Sequence, residues 1–552
     1  MPRKTLLALV LAAALPAAAQ DAAPTGLAQA VRTRIDGDRT GACLAVARIE
    51  GDRVERAYEC ADPAQARRIG AMTAYEIGSV TKPMTATLLA LHIAEGRASL
   101  DDPLARHLPG TRVPEFGGEP IRLRHLVSHT SGLPALPAGM APANPADPYA
   151  GLEPAALLDA LSKTTLDRAP GTRFEYSNFA MMLLSLVVSR LGDADVETQL
   201  RARLFQPLGM RGAHVATPPA GITAAQGHLS TGRPTAPWTF HPQLSGVGGV
   251  RATLDDMVRF VQAQLDDSGD ARLDAALAAT RMPVATPATP GNIGMNWMLQ
   301  PWKDGGRLVA HEGGTGGFSS LVAFVPGRRR GVVILSDTSV NALGGLGALG
   351  MHLLDPSMPA PKPRRTAAPA PALLSALEGR YRFDNGLAVR LWQQDGALWA
   401  QAEGQPAFRF GHDDAGDFHP LDFDALMTPQ RQPDGRYALR WMQGGGVMTA
   451  RRVDAEAGSA AARYEVPPGR LADYVGSYPL APGFALAFTV RDGRLHVQGT
   501  GQPAIALDAV ERDVFVADAV GAELRFERGG DGAVTAVTLR QGGQVLRGER
   551  GR

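Results

Sequence analysis

The last part of the chain is written twice. Gly379 and Tyr381 have counterparts in Gly476 and Tyr478, Asp395-Gly396, Leu398 and Gln401 in Asp492-Gly493, Leu495 and Gln498, and Gly404-Gln405-Pro406 in Gly501-Gln502-Pro503, each 97 residues further on. Phe418 with Phe515 and Asp434-Gly435 with Asp531-Gly532 keep that offset, so the alignment needs no gap. A repeat of this kind is one structural unit used twice. Each copy is a series of short alternating runs, such as 484–490, 494–498 and 523–527, between Asp-Gly or Gly-Gly turns. That pattern predicts an antiparallel meander closing into a small lipocalin-like barrel or a sandwich. Neither copy has a nucleophile beside a base or a set of metal ligands. The copies are expected to serve as lid, substrate-restricting or assembly modules, and any chemistry has to lie upstream.

Before the repeat, 356–371 is Pro/Ala-rich with Lys362, Arg364 and Arg365, which reads as a linker. At 552 residues the chain exceeds one compact core, and two to four domains are expected. The expected division is a signal peptide at 1–19, a catalytic domain at 20–355, a linker at 356–372, and β-domains at 373–460 and 468–552. Arg3 and Lys4 precede an apolar run from Leu6 to Leu15, and Ala17-Ala18-Ala19 offers small residues for cleavage before Gln20, as in a secretory signal peptide. That run is too short to span a bilayer. No later stretch reads as a membrane helix, and no cysteine near the junction offers a lipid anchor. The mature protein is expected to be exported, periplasmic or secreted, with no integral membrane segment. A net charge of +1 with 45% hydrophobic residues leaves no basic stripe for nucleic acid.

Cys43 and Cys60 are the only cysteines, and they flank two alternating runs joined by Gly51-Asp52. Pairing Glu50 with Arg53 across a two-residue loop places Ile49 opposite Val54 and Cys43 opposite Cys60. Such a pair is close enough for a disulfide, which an oxidising compartment would favour; two buried thiols are the alternative. A helix over 26–36 precedes this hairpin, and helical periodicity follows it. The pattern predicts a mixed α/β (α+β) domain whose sheet is completed much later, by strands over 295–300, 307–311, 318–325 and 331–337.

The chemistry-bearing stretch is Glu76-Ile77-Gly78-Ser79-Val80-Thr81-Lys82-Pro83. Lysine is scarce, only Lys4, Lys82, Lys163, Lys303 and Lys362, and Lys82 alone has a serine three residues before it. Met84, Leu88 and Leu91 have helical spacing, and Pro83 is tolerable only in a first turn, so a helix begins close to Ser79. Residues i and i+3 share a helical face, which brings the Lys82 amine to the Ser79 hydroxyl, as in an activated nucleophile. An N-cap serine with a solvated lysine fits the tetrapeptide equally well.

Downstream, Tyr176-Ser177-Asn178 leads into an apolar helix over 179–191. Asn178 suits an N-cap, and the Tyr176 phenol could face a cleft, where a tyrosinate held by cations would act as a base. Glycine-rich Ser245 to Val250 allows close backbone approach before a helix over 253–265. His311 ends a strand and is followed by Glu312, Gly313 and Gly314, which offers a polar ring and bare N–H groups at one edge. His125 and His129 read as turn and packing residues.

Taken together and in this order, Ser79-Val80-Thr81-Lys82, Tyr176-Ser177-Asn178 and His311-Glu312-Gly313 resemble the class C β-lactamase and penicillin-binding serine hydrolases. The segments His129-Thr130-Ser131-Gly132-Leu133 and Gln206-Pro207-Leu208-Gly209-Met210 also look like that family. The resemblance implies that Ser79 attacks a carbonyl, that Lys82 and Tyr176 share the proton work, and that Asn178 holds the substrate amide and Lys82. It places the oxyanion between the N–H groups of Ser79 and Gly314, with His311 and Gly313 in the substrate-binding strand. Histidine at 311, where lactamases of this family usually have lysine, looks more like the peptidases, D-amino-acid amidases and esterases. A histidine would also change charge near neutral pH. The architecture with two small β-domains is similar to D-aminopeptidases.

Other hydrolase classes fit less well. His311-Glu312 lacks the second histidine of a zinc-binding H-E-x-x-H, and G-x-S-x-G is absent. The expected activity is an exported serine hydrolase forming an acyl-enzyme with a small peptide, amide or ester, without cofactor or metal. The alternatives are a β-lactamase and a non-catalytic peptidoglycan- or partner-binding relative.

Overall fold

The computed structural model describes residues 26–551 except 139, 141–143, 145, 230, 285, 290, 385, 404, 444–445, 454–463, 465, 482–483, 492, 501–503, 518–521 and 542–543. The expected signal peptide at 1–19 lies outside these residues, as do the repeat members Gly404, Asp492 and Gly501-Gln502-Pro503.

A six-stranded antiparallel sheet is built from the two distant parts of the first domain. Strands β1 (Cys43–Glu50) and β2 (Arg53–Cys60) form the hairpin, and β3 (Met298–Pro301), β4 (Arg307–Gly314), β5 (Ser319–Val325) and β6 (Arg330–Ser336) come from the far end, in the order β2-β1-β6-β5-β4-β3. The hairpin register pairs Glu50 with Arg53, Ile49 with Val54 and Cys43 with Cys60, and the two cysteines are joined as a disulfide. β1 then pairs along its length with β6, Val46 facing Ile334.

Alternation along these strands feeds two cores. Ala45, Ala47, Ile49, Val333 and Leu335 pack with α2 (Thr81–Ala94), α3 (Asn178–Gly192) and α4 (Leu254–Leu265) through Leu88, Leu183 and Phe260. Leu44, Val46, Val332 and Ile334 face the other way, onto α1 (Gly26–Ile35) and the helix Gly347–Leu354. Helices thus flank an antiparallel sheet on both faces, the expected class.

β4 runs three residues beyond His311. Gly313 and Gly314 stay paired with Ser320 and Ser319, so the histidine lies inside the strand and does not end it. The glycines permit this because another segment crosses here: a Cβ on Gly313 would meet the Ile77 carbonyl oxygen at 2.1 Å, and one on Gly78 would meet the Gly314 nitrogen at 2.7 Å. Gly313→Ala is accordingly expected to cost about 3 kcal/mol or to force the crossing segment aside. The urea midpoint reads this, and an unchanged midpoint would refute the tight crossing.

The C-terminal region is all-β apart from short helical turns. The first copy is a closed eight-stranded barrel, from Gly379–Phe383 to Gly446–Val453; the second, in its described residues, contains a four-stranded and a five-stranded sheet. The duplication extends to details that side-chain identity does not carry. A helical turn opens each copy, Pro371–Leu377 and Pro468–Tyr474. Each is followed by a glycine at an unusual backbone angle, Gly379 at φ 149° and Gly476 at φ 154°. Tyr381 and Tyr478 both donate their hydroxyl four residues back, to the carbonyls of Leu377 at 3.0 Å and Tyr474 at 3.2 Å.

The Pro/Ala stretch is held on both sides. Arg364 donates its backbone N–H to Asp38 Oδ2 (2.9 Å) and its guanidinium to Asp413 (3.1 Å) and Asp417 (2.5 Å) of the barrel. Arg39 reaches the same Asp413 carboxylate at 3.1 Å. A second contact is made by Asp424, which accepts from Asn341 Nδ2 (2.7 Å) and the Ala342 N–H (3.1 Å) at the short helix Val340–Leu343.

Candidate active site

Ser79 lies in a single 3₁₀ turn, Gly78–Val80, that runs into α2. The turn is pinned from both sides. The Ile77 N–H and carbonyl bond the Val250 carbonyl (3.0 Å) and the Ser320 hydroxyl (2.7 Å), and Thr81 Oγ1 accepts from the Val250 N–H at 3.1 Å. The glycine-rich segment 245–250 therefore makes the close approach its composition predicts.

Lys82 is 1% exposed. Its Nζ lies 2.7 Å from Ser79 Oγ and 2.8 Å from the Val247 carbonyl, and 5.1 Å from the centre of the Tyr176 ring. Burial pushes the amine down to about 7, within the range of a working base near neutral pH. The Tyr176 ring lies beside this amine, and burial raises its phenol above its ordinary value. The tyrosinate expected from the sequence is therefore disfavoured: this phenol keeps its proton, and the neutral amine is the better acceptor.

The backbone supplies the second feature. The Thr315 N–H bonds the Phe318 carbonyl at 3.0 Å, so alternation leaves Gly314, opposite Ser319, in a non-hydrogen-bonded position with its N–H turned away from β5. β3 pairs with β4 only as far as Ala310, which leaves that edge open beside the Ser79 turn. This suits an oxyanion site between two N–H groups.

Family comparison agrees with this geometry. A family model described as Beta-lactamase matches residues 27–350. The chain belongs to the beta-lactamase family. A domain of unknown function, DUF3471, matches 460–550, which is most of the second copy. The chain is 29% identical over 310 residues to the D-alanyl-D-alanine-carboxypeptidase/endopeptidase AmpH of Escherichia coli strain K12, covering 54% of this chain and 79% of that protein. Against penicillin-binding protein 4 of Amycolatopsis lactamdurans it is 29% identical over 386 residues, covering 64% and 97%. Among solved structures, the beta-lactamase/D-alanine carboxypeptidase of Pseudomonas syringae superposes with a TM-score of 0.51 at 22% identity, over 60% of this chain and 98% of that one, a likeness of fold.

Three expectations for this beta-lactamase-family site need correction. Asn178 is not the N-cap of α3; Ser177 is, its Oγ accepting the Ala180 N–H at 3.0 Å. Nor is Asn178 hydrogen-bonded to Lys82, whose second partner is the Val247 carbonyl. Asn178 Nδ2 donates to the Tyr149 hydroxyl at 3.1 Å, and its buried Oδ1 has no partner. His311 is 4% exposed. Burial, then the nearby Lys82 charge, pushes it down to about 3. It stays neutral above that pH and does not switch charge near neutrality.

Of two further residues near the site, His129 has the packing role expected of it, and Tyr149 was not singled out. His129 is fully buried, stacks on Tyr176 with ring centres 4.3 Å apart, and accepts the Ser177 N–H at 3.2 Å, so its packing role fixes the tyrosine-bearing loop. The motif His129-Thr130-Ser131-Gly132-Leu133 was the available signal. Tyr149 lies in a Pro/Ala-rich loop and had none. Among the described residues no group of three or more His, Cys, Asp or Glu could hold a metal, and no helix is long and apolar enough to cross a membrane.

Proposed function

We propose that the protein is an exported serine hydrolase that acts on a small peptide, amide or ester through an acyl-enzyme. The observation that carries this reading is the 2.7 Å contact between Ser79 Oγ and a buried Lys82 amine whose pKa is near 7. Ser79 Oγ attacks the substrate carbonyl carbon while its proton passes to Lys82 Nζ, and the carbonyl oxygen becomes an oxyanion facing the Ser79 and Gly314 N–H groups. Collapse breaks the bond to the leaving group, which takes a proton through Lys82 and the Tyr176 hydroxyl. Water then attacks the Ser79 ester, and the acid departs with the serine hydroxyl restored. The name of the Escherichia coli relative, a D-alanyl-D-alanine-carboxypeptidase/endopeptidase, supports a peptide-like substrate.

Neutral His311 disfavours efficient lactam hydrolysis, since it offers no charge to a substrate carboxylate. His311→Lys is expected to shift relative kcat/KM toward substrates with a free carboxylate by about tenfold, measured on paired substrates with and without that group; an unchanged ratio would remove His311 from carboxylate recognition. The proposed activity is tested by screening D-aminoacyl amides, D-Ala-D-Ala peptides, short nitrophenyl esters and a chromogenic cephalosporin, with a serine-acylating probe alongside. Failure of every substrate together with no labelling of Ser79 would favour the non-catalytic reading.

A further inference from the structure

Three aromatic rings beside Ser79 take no part in the chemistry proposed above. Tyr149 and Phe240 stack with ring centres 5.0 Å apart and planes 27° apart, and Trp238 tilts against Tyr149 at 5.3 Å. They come from two loops tied together. Trp238 Nε1 donates to the Ala146 carbonyl (3.0 Å), while the Thr239 N–H and hydroxyl donate to the Asp147 carboxylate (2.9 and 2.6 Å). The Trp238 N–H also donates to Glu76 Oε1 at 3.0 Å, which ties the cluster to the strand leading into the nucleophile.

The cluster reaches all three parts of the site. Tyr149 holds the Asn178 amide. A Cβ on Gly248 would lie 3.6 Å from the Gly78 carbonyl carbon and 3.7 Å from Phe240 Cζ, so the ring and the nucleophile turn flank the same point. Trp238 Nε1 would lie 2.9 Å from a Cβ on Gly316, two residues past Gly314. Tyr149 is buried, whereas Trp238 and Phe240 are half-buried. Both pack against the core on one side and keep part of their surface exposed.

Among the described residues the charges here are already committed. Arg251, behind Trp238, is bonded to Glu76 Oε1 (3.0 Å) and the Trp238 carbonyl (2.7 Å), and Lys82 is bonded to Ser79 and Val247. An aromatic face without a spare cation favours a flat neutral group and disfavours a carboxylate. The unpartnered Asn178 Oδ1 beside Tyr149 can accept an N–H next to that group.

We propose that Tyr149, Trp238 and Phe240 form a specificity wall selecting a neutral, aromatic acyl group in the substrate. This rests on the acyl-enzyme reading above and adds the substrate class. Latching the loops fixes the wall before binding, so ordering it costs the substrate little.

The test is a nitrophenyl ester series with acetyl, butyryl, phenylacetyl and succinyl groups. The full-length protein should give a phenylacetyl-to-acetyl ratio of kcat/KM of roughly tenfold or more, with succinyl below butyryl. In Phe240→Ala that ratio should fall toward one. The same is expected of Trp238→Ala, which removes a second ring of the wall. A general loss of folding would lower all esters together and leave the ratio standing, which would overturn the wall. A wild-type ratio near one, or a preference for succinyl, would do the same. Calorimetric binding of phenylacetyl-glycinamide and acetyl-glycinamide to Ser79→Ala separates this from the catalytic reading. A phenylacetyl preference there with no wild-type turnover would sink the hydrolase and keep the wall, and equal binding would sink the wall.

Discussion

Ser79→Ala is expected to lower kcat/KM by roughly 10⁴-fold or more on any substrate the protein hydrolyses and to abolish covalent labelling, with little change in Tm. The scale follows from the proposed mechanism: without the hydroxyl no acyl-enzyme can form, and binding with oxyanion stabilisation alone leaves a small residue of activity. Tm should hold because the turn is fixed by Ile77, Thr81 and Ser320 and not by the serine side chain. Intact protein mass after probe treatment, turnover and a thermal scan check the three parts. Turnover retained near the wild-type level would dismiss Ser79 as the nucleophile.

Lys82→Met should remove most activity and yet make the protein more stable. The amine's ordinary value of 10.5 falls to about 7 on burial. The folded pKa lies below the unfolded one, so between those values the unfolded chain binds more protons. Stability therefore rises with pH across that window, and the penalty is fully present below about 7. At pH 7 the cost is on the order of 4 kcal/mol. Methionine escapes it but leaves the Val247 carbonyl unbonded, for a net gain of about 2 kcal/mol, or several degrees in Tm. The same shift sets the activity profile, with kcat/KM rising with pH through about 7 as the amine becomes neutral. A limb near 10, or a variant less stable than wild type at pH 7, would contradict a desolvated lysine.

Features set by local chemistry were readable from the residues. The Gly51-Asp52 turn fixes the hairpin register and so the pairing of Cys43 with Cys60, and an i, i+3 spacing is enough to bring Lys82 to Ser79. The repeat was visible because turn glycines and inward aromatics recur where the backbone demands them. What escaped depends on distance and burial. Tyr149 and Phe240 meet across 91 residues of chain, and nothing around either one announces the other. Protonation was misjudged for one reason at both Tyr176 and His311: side-chain identity gives a pKa in water, and only the packed site shows how dry each group becomes. Asn178 lost its N-cap role to the neighbouring Ser177, a one-residue difference within the ordinary uncertainty of helix ends.

The contact between Asp424 and the helix Val340–Leu343 joins the barrel to the first domain. A Cβ on Gly314 would meet Val340 Cγ1 at 2.9 Å, so the residue offered to the oxyanion packs against the helix whose N–H groups a barrel carboxylate satisfies. Burial raises the Asp424 carboxyl pKa, and stripping away its partners would leave a dry polar group with no bond. Opening of the barrel at this point would therefore take from the helix packed on Gly314 the carboxylate that its N–H groups bond, so the first tail module buttresses the strand edge beside Ser79.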